Sequence, residues 1–312
     1  MEEKRKYLEY FDGAFDSTVA DKMKLENKPY VAYSRIDGVV YTIIPKEDGY
    51  TLMTLKKVDI SNISYEEVDL GLESGLKWAN KNIGAQTVED YGTYFSWGNT
   101  EGYTVSGTKF LTVDEACQLF SQLFSSDTGQ TVTTKEELEN MLSQMGMTVD
   151  NFGTVDGYSF DETPYNGTSG AEFTGDVLDS AHDAATTIMG GSWRMPTIDE
   201  CKELVNSVKT SVDDTTNPLT CTYIYLDKQG NRTEHIVYRE NTKDYFSVSG
   251  LIDDNDNMLF NKILGIKFTN ISTGTSVYFP ACGNVDGSLF SYFGLVGCYW
   301  SSSIRDTTDA RN

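Results

Sequence analysis

The chain predicts an α+β fold of short, mostly antiparallel strands, and three features of the sequence lead there. Two pairs of strand-like runs are separated by short turn-forming stretches: Cys221–Leu226 and His235–Tyr238 across Asp227–Asn231, and Ile263–Thr269 and Thr275–Phe279 across Asn270–Gly274. A connection of so few residues returns the chain antiparallel to itself, so each pair reads as a hairpin. Helix starts lie between the strand runs, the clearest at Thr197-Ile198-Asp199-Glu200, where the Thr197 hydroxyl and the Glu200 carboxylate form a capping box. With 19 Tyr and 27 Gly in 312 residues, the composition suits a loop-rich globular protein better than a disordered one.

Residues 1–62 differ in texture from the rest and read as a small N-terminal β-hairpin module. After a charged start of helical character, Lys28–Ser34 is a strand, Ile36-Asp37-Gly38 a turn, Val39–Ile44 a second strand ended by Pro45, and Tyr50–Val58 a third run. Two strands alone are marginal in water, so the module needs a partner surface and is expected to dock or oligomerise.

Residues 63–312 form the larger domain. Val68–Leu70 and Lys77–Ala79 are short strands around the Gly71–Gly75 turn, Thr87–Tyr91 opens a helix or tight loop, and Tyr94-Phe95-Ser96-Trp97-Gly98 is an aromatic run expected to be buried. A helical insertion occupies about 100–177: Val113–Phe124 carries Ala116, Leu119, Phe120 and Leu123 at helical spacing, and Thr134 with Glu137 opens a second helix through Met145. Gly153–Gly175 reads as loop, and the insertion is either a decoration on the flank or a contact with a neighbouring subunit. Asp179–Ala185 reads as helix, feeding the Gly190-Gly191 break. Ser192–Met195 is an extended segment that Pro196 delivers into the helix at Thr197, with Trp193 and Met195 on one side and Arg194 on the other.

A formal net charge of -22 argues against nucleic acid and anionic membrane surfaces, whose charge would repel the chain. No apolar run reaches transmembrane length, and Met1–Asp12 has no apolar signal region, so the expectation is soluble synthesis without a signal peptide. Five cysteines without a Cys-x-x-Cys pair point to small buried hydrophobes rather than to a disulfide framework or structural zinc. His182, on an expected helix, and His235, in a strand, are the only histidines on which a nucleophile–base pair could draw, and both read as surface or core residues. Asp253, Asp254 and Asp256 place hard oxygen ligands at close spacing, as calcium requires, but lack the following Gly and distal Glu of an EF-hand. An ordinary acidic loop is the alternative there.

Six blocks carry a resemblance. They are Val68–Ala79, Asn82–Ala85, Glu89–Gly98, Gly190–Val205, Ser276–Gly283 and Gly297–Ser303. In this order they resemble the Bacteroidetes paralogous domain family, related to formylglycine-generating enzymes and C-type-lectin-like folds, over roughly residues 66–303. The resemblance implies a C-type-lectin-like domain with short antiparallel strands. Leu25–Tyr33 and the hairpin after it also resemble N-terminal segments of structural proteins from crAss-like phages of Bacteroides. That implies a virion protein released by lysis, which needs no signal peptide.

Formylglycine-generating enzymes bind copper through a thiolate pair, so the resemblance makes Cys282 and Cys298 the residues to test. Cys298, beside Tyr299-Trp300 in a strand-like run, reads instead as an inert buried thiol, and no catalytic role is expected. The expected function is non-enzymatic: a head- or tail-fibre-type virion protein whose lectin-like domain binds a host-surface glycan or protein. Its first 60 residues contact other virion proteins, and the chain forms a homo-oligomer, expected to be a trimer. The expected ligand-binding residues are Tyr292, Tyr299, Trp300, Ser302, Arg305 and Asp306, on the loops around the C-terminal strands. They offer aromatic faces for stacking and a guanidinium, hydroxyl and carboxylate for sugar hydroxyls. The alternatives are a capsid-decorating protein without a ligand, a bacterial surface adhesin and a retroelement-diversified variable protein. Relatives continue past the Tyr-Trp-Ser-Ser-Ser block into further strands, whereas this sequence stops at Asn312. A last strand would then be absent, supplied by another subunit, or replaced by the insertion.

Overall fold

A computed structural model describes residues 30–34, 39–95, 97–144, 177–239, 260–286, 289–291, 294 and 297–303. Strands β1 (Tyr30–Ser34), β2 (Val39–Lys46), β3 (Gly49–Lys56), β7 (Tyr103–Thr112) and β6 (Thr93–Tyr94) pair in that order into one antiparallel sheet. The long apolar run of β2 is explained by burial on both faces, with Val40, Tyr41, Thr42 and Ile43 all inside. Tyr41 and Ile43 join Tyr50, Leu52 and Leu111 against helix α1 (Val113–Thr128), which contributes Ala116, Cys117, Phe120 and Phe124. Helix α2 (Lys135–Gln144) closes this core with Leu138, Met141 and Leu142. Its start follows from Thr134 and Glu137: the Glu137 carboxylate accepts from the Thr133 and Thr134 amides, and the Glu137 amide donates to the Thr134 hydroxyl.

Two expectations change here. Pro45 does not end β2, which continues to Lys46 paired with Gly49. Among the described residues the pairing with β1 runs as far as Ile43, so the missing N–H of Pro45 interrupts no described β1–β2 pair. The boundary at residue 62 also fails to separate two units among the described residues. β3 pairs with β7 from Gly49–Thr112 to Lys56–Thr104, so the N-terminal strands and the first part of the expected insertion share a sheet and a core. A Cβ at Gly49 would collide with the Leu111 carbonyl, so this close strand approach requires glycine there.

The second sheet has the order β11 (Ser276–Pro280), β10 (Phe260–Asn270), β8 (Leu219–Asp227), β9 (Arg232–Val237), again antiparallel throughout. Both expected hairpins are present. Leu219, Cys221, Tyr223 and Tyr225 alternate toward a core shared with Phe260, Ile263, Phe268 and Val277. Helix α4 (Ile198–Asn206) adds Leu204 and Val205 to that core. The small hairpin β4 (Glu67–Asp69) and β5 (Lys77–Ala79) closes it with Leu70, Leu72 and Trp78, and is tied down where Asn270 Nδ2 donates to the Leu70 carbonyl at 2.8 Å. A last pair, β12 (Asn284–Asp286) and β13 (Leu289–Ser291), follows.

Helix α3 (Ala184–Met189) is shorter than expected at its start. Asp179 forms a turn by accepting from the Ala181 and His182 amides, and Asp183 is the true N-cap, accepting from the Thr186 amide at 2.9 Å. His182 therefore lies in the turn before the helix, with Nδ1 2.8 Å from Asp179 Oδ1. The protein is mixed α+β with mostly antiparallel sheets and few helices. No described helix is long and apolar enough to cross a membrane.

Candidate functional site

The capping box forms as the sequence requires: the Glu200 amide donates to Thr197 Oγ1 and the Thr197 amide to Glu200 Oε2. Glu200 also takes both guanidinium arms of Arg194, at 2.7 and 2.5 Å. That guanidinium, helped by the Thr197 amide and opposed by burial, holds the Glu200 carboxyl below its ordinary range. Asp183 reaches across to accept from the Met195 amide, so the 190–197 segment is fixed at both ends.

The C-terminal segment 297–303 is fastened to this unit and to three other parts of the chain. The Ser302 amide donates to the Pro196 carbonyl at 2.8 Å, and the Ile198 amide to Ser303 Oγ at 3.0 Å. Val177 bridges Ser303, and Gly283 bridges Gly297. Two indoles make a reciprocal clasp: Trp97 Nε1 donates to the Ser301 carbonyl at 2.9 Å, and Trp300 Nε1 to the Phe95 carbonyl at 2.8 Å. Tyr94, beside Phe95, ties the neighbouring segment, its hydroxyl donating to the Cys282 carbonyl at 2.7 Å.

Within the segment, consecutive residues face opposite ways, as an extended backbone demands. Tyr299 points in: its ring meets Phe279 edge-on at 5.1 Å, its hydroxyl donates to the Pro280 carbonyl at 2.8 Å, and Asn82 Nδ2 approaches that hydroxyl at 3.4 Å. Burial pushes the Tyr299 and Tyr94 phenols well above the usual tyrosine range. Trp78 stands edge-on to the other side of this group, 5.9 Å from Phe279. Trp300 points out, keeping 46% of its surface exposed although its ring nitrogen is bound.

Of the six expected ligand-binding residues, the structure therefore presents Trp300 to solvent and uses two others internally. Tyr299 is half-buried with its hydroxyl on the Pro280 carbonyl, and Ser302 is buried with its hydroxyl on the Pro196 carbonyl. Tyr292, Arg305 and Asp306 lie outside the described residues, as do Asp253, Asp254 and Asp256 of the calcium expectation. Among the described residues, no group of three or more His, Cys, Asp or Glu side chains is placed to hold a metal ion.

Cys282 and Cys298 lie on neighbouring segments, the Cys298 amide donating to the Gly283 carbonyl at 3.3 Å. Burial raises the Cys282 thiol to about 11, so in the metal-free chain it is protonated at neutral pH. Cys201, raised to about 12, and Cys221, raised well above the ordinary range, are protonated for the same reason. The partners that hold Trp300 in place, Phe95 and Trp97, were marked in the sequence only as an aromatic run. Their bonds end on main-chain carbonyls, which every residue has.

No family model matches this chain, and neither does any curated protein or solved structure.

Proposed function

We propose that the chain is a virion protein of head- or tail-fibre type, in which a C-type-lectin-like domain binds a host-surface glycan or receptor and catalyses nothing. One observation carries the binding reading: Trp300, a large aromatic held in one orientation by its own ring nitrogen, with nearly half its surface facing water. Sugars are recognised by such fixed aromatic faces, because C–H-rich ring surfaces stack on them without loss of side-chain freedom. The lectin-like reading draws support from the six blocks, which come from three stretches of the sequence, 68–98, 190–205 and 276–303, and are fastened together around segment 297–303. The virion assignment rests on the resemblance of the N-terminal residues, through which the chain would contact other virion proteins and form a trimer.

The test is retention of Bacteroides surface polysaccharides on a glycan array by the full chain and by Trp300→Ala. Truncating a central aromatic anchor costs about 2 kcal/mol or more, roughly a 30-fold loss of affinity. The expected result is retention by the parent and its loss in the variant at unchanged melting temperature. Silence of the parent on every glycan, with tight binding to capsids, would replace this reading with the capsid-decorating one.

A further inference from the structure

The second sheet turns one face to its core, and strand register sets an aromatic ring and two ion pairs side by side on the other. Tyr278 of β11, Lys267 of β10, Thr222 of β8 and Ile236 of β9 stand in one cross-strand row, and Gly265, Ile224 and Glu234 in a neighbouring row on the same face. A Cβ at Gly265 would collide with both Cζ and the hydroxyl of Tyr278, so the ring leans on bare backbone and is held in place by that contact. Tyr278 is partly exposed, and among the described residues its hydroxyl makes no hydrogen bond. Burial pushes the phenol above the usual tyrosine range, so it stays a neutral donor. Ile236, at the far end of the row, keeps 50% of its surface exposed.

The charges on this face are matched one to one. Lys267 Nζ reaches across β8 to Glu234 Oε2 at 3.1 Å, and Arg232 Nη2 donates to Glu89 Oε1 at 2.6 Å. All four side chains remain open to water. Lys262, level with Arg232 across Leu226, directs its ammonium to the Tyr91 ring, 6.0 Å from its centre. Such pairing stands out in a chain with a net charge of -22. An anion bound here would face Glu89 and Glu234, and a cation would face Arg232 and Lys267. A hydroxyl group is donor and acceptor at once, so a polyol can donate to the carboxylates and accept from the guanidinium and the ammonium without separating either pair.

We propose that this outer face is a further sugar subsite, taking an uncharged hexose whose ring stacks on Tyr278 and whose hydroxyls meet the Arg232–Glu89 and Lys267–Glu234 pairs. The apolar face of the sugar ring suits the phenol, and polar side chains already fixed by one another lose little freedom on binding. The ligand class rests on the glycan-binding reading above, while the site itself rests on the sheet register.

The experiment titrates the full chain, carbon-labelled at tyrosine, with the methyl glycosides of glucose, galactose and mannose, with sodium glucuronate and with glucosamine hydrochloride. NMR follows the Tyr278 ring signal, identified by its loss in Tyr278→Ala. At least one neutral glycoside is expected to shift it saturably, and both charged sugars to bind about tenfold more weakly. Saturation transfer to that glycoside, measured in Trp300→Ala so that the indole cannot contribute, should be lost when Tyr278→Ala is added at unchanged melting temperature. Glu89→Gln leaves Arg232 unmatched and should raise the affinity for glucuronate, relative to the neutral glycoside, several-fold. No saturable shift with any of the three glycosides, or transfer that survives Tyr278→Ala, overturns the site. Charged sugars that bind as tightly as neutral ones, or unchanged selectivity in Glu89→Gln, overturn the ligand class. A change of oligomeric state in Tyr278→Ala without a sugar shift in the parent assigns the face to a subunit contact instead. Array retention that depends on Trp300 without any Tyr278 shift rejects this inference alone, whereas a Tyr278 shift without Trp300-dependent retention rejects the Trp300 reading and leaves this site standing.

Discussion

The core under β1, β2, β3 and β7 is sealed chiefly by apolar packing, whereas the core under β8 to β11 is ringed by hydroxyls, indoles and amides that end on main-chain carbonyls. In the first, Phe120 and Phe124 stack with centroids 5.8 Å apart, Tyr41 stands edge-on to Phe120 at 6.0 Å, and regular strands and helices satisfy the backbone. In the second, Trp97, Tyr299, Trp300 and Asn270 each spend a polar side-chain atom on a carbonyl of another segment. Helices and long strands satisfy their own carbonyls, so apolar faces suffice to join them. Short strands and irregular segments do not, and side chains must supply the donors. The second arrangement costs more specific residues, but it fixes loops, and loops carry recognition surfaces.

The largest effect should come from the apolar side of this comparison. Phe120→Ala removes a fully buried ring and should cost about 3–5 kcal/mol in urea unfolding, without changing the surface around Trp300. Trp97→Phe keeps an aromatic side chain, smaller than the indole, but leaves the Ser301 carbonyl without this donor, at a cost of about 1–3 kcal/mol. It should also weaken glycan retention, because the segment that presents Trp300 loosens. Equal retention in both variants would remove the distinction between the two cores. Thr197→Ala, which takes away one half of the capping box, should cost about 1 kcal/mol by the same measurement.

The smallest effect is the pH dependence of Glu200. Its folded pKa is depressed, so the stability it contributes is present above the ordinary carboxylate range and is lost as pH falls through the folded value. Melting curves taken from pH 6 down to pH 3 should therefore fall less steeply for Glu200→Gln than for the parent. The difference should stay within about 1 kcal/mol, because Arg194 is half exposed to screening solvent.

Local signals carried what the sequence made legible. The Thr197 cap, the α1 and α2 stripes and the two hairpins of the second sheet all depend on residues within a few positions of one another. The pairing of β3 with β7 depends on residues some fifty positions apart and leaves no local trace, which is why the N-terminal strands looked like a separate module. The helix read from Asp179 starts only at Ala184, because Asp179 closes a turn before it and Asp183 caps it. For Tyr299 and Trp300, alternation says that they face opposite sides but not which one faces out. That choice is made by the Phe95 and Pro280 carbonyls, which belong to other parts of the chain.

The central claim is that segment 297–303 is a rigid mount for Trp300, and amide hydrogen exchange on the full chain tests it most directly. The Cys298 and Ser302 amides, both bound to carbonyls far away in sequence, are predicted to exchange as slowly as the amides of β8 and β10, and faster in Trp97→Phe. Exchange of these two amides in the parent chain at the rate of an unstructured peptide would contradict it.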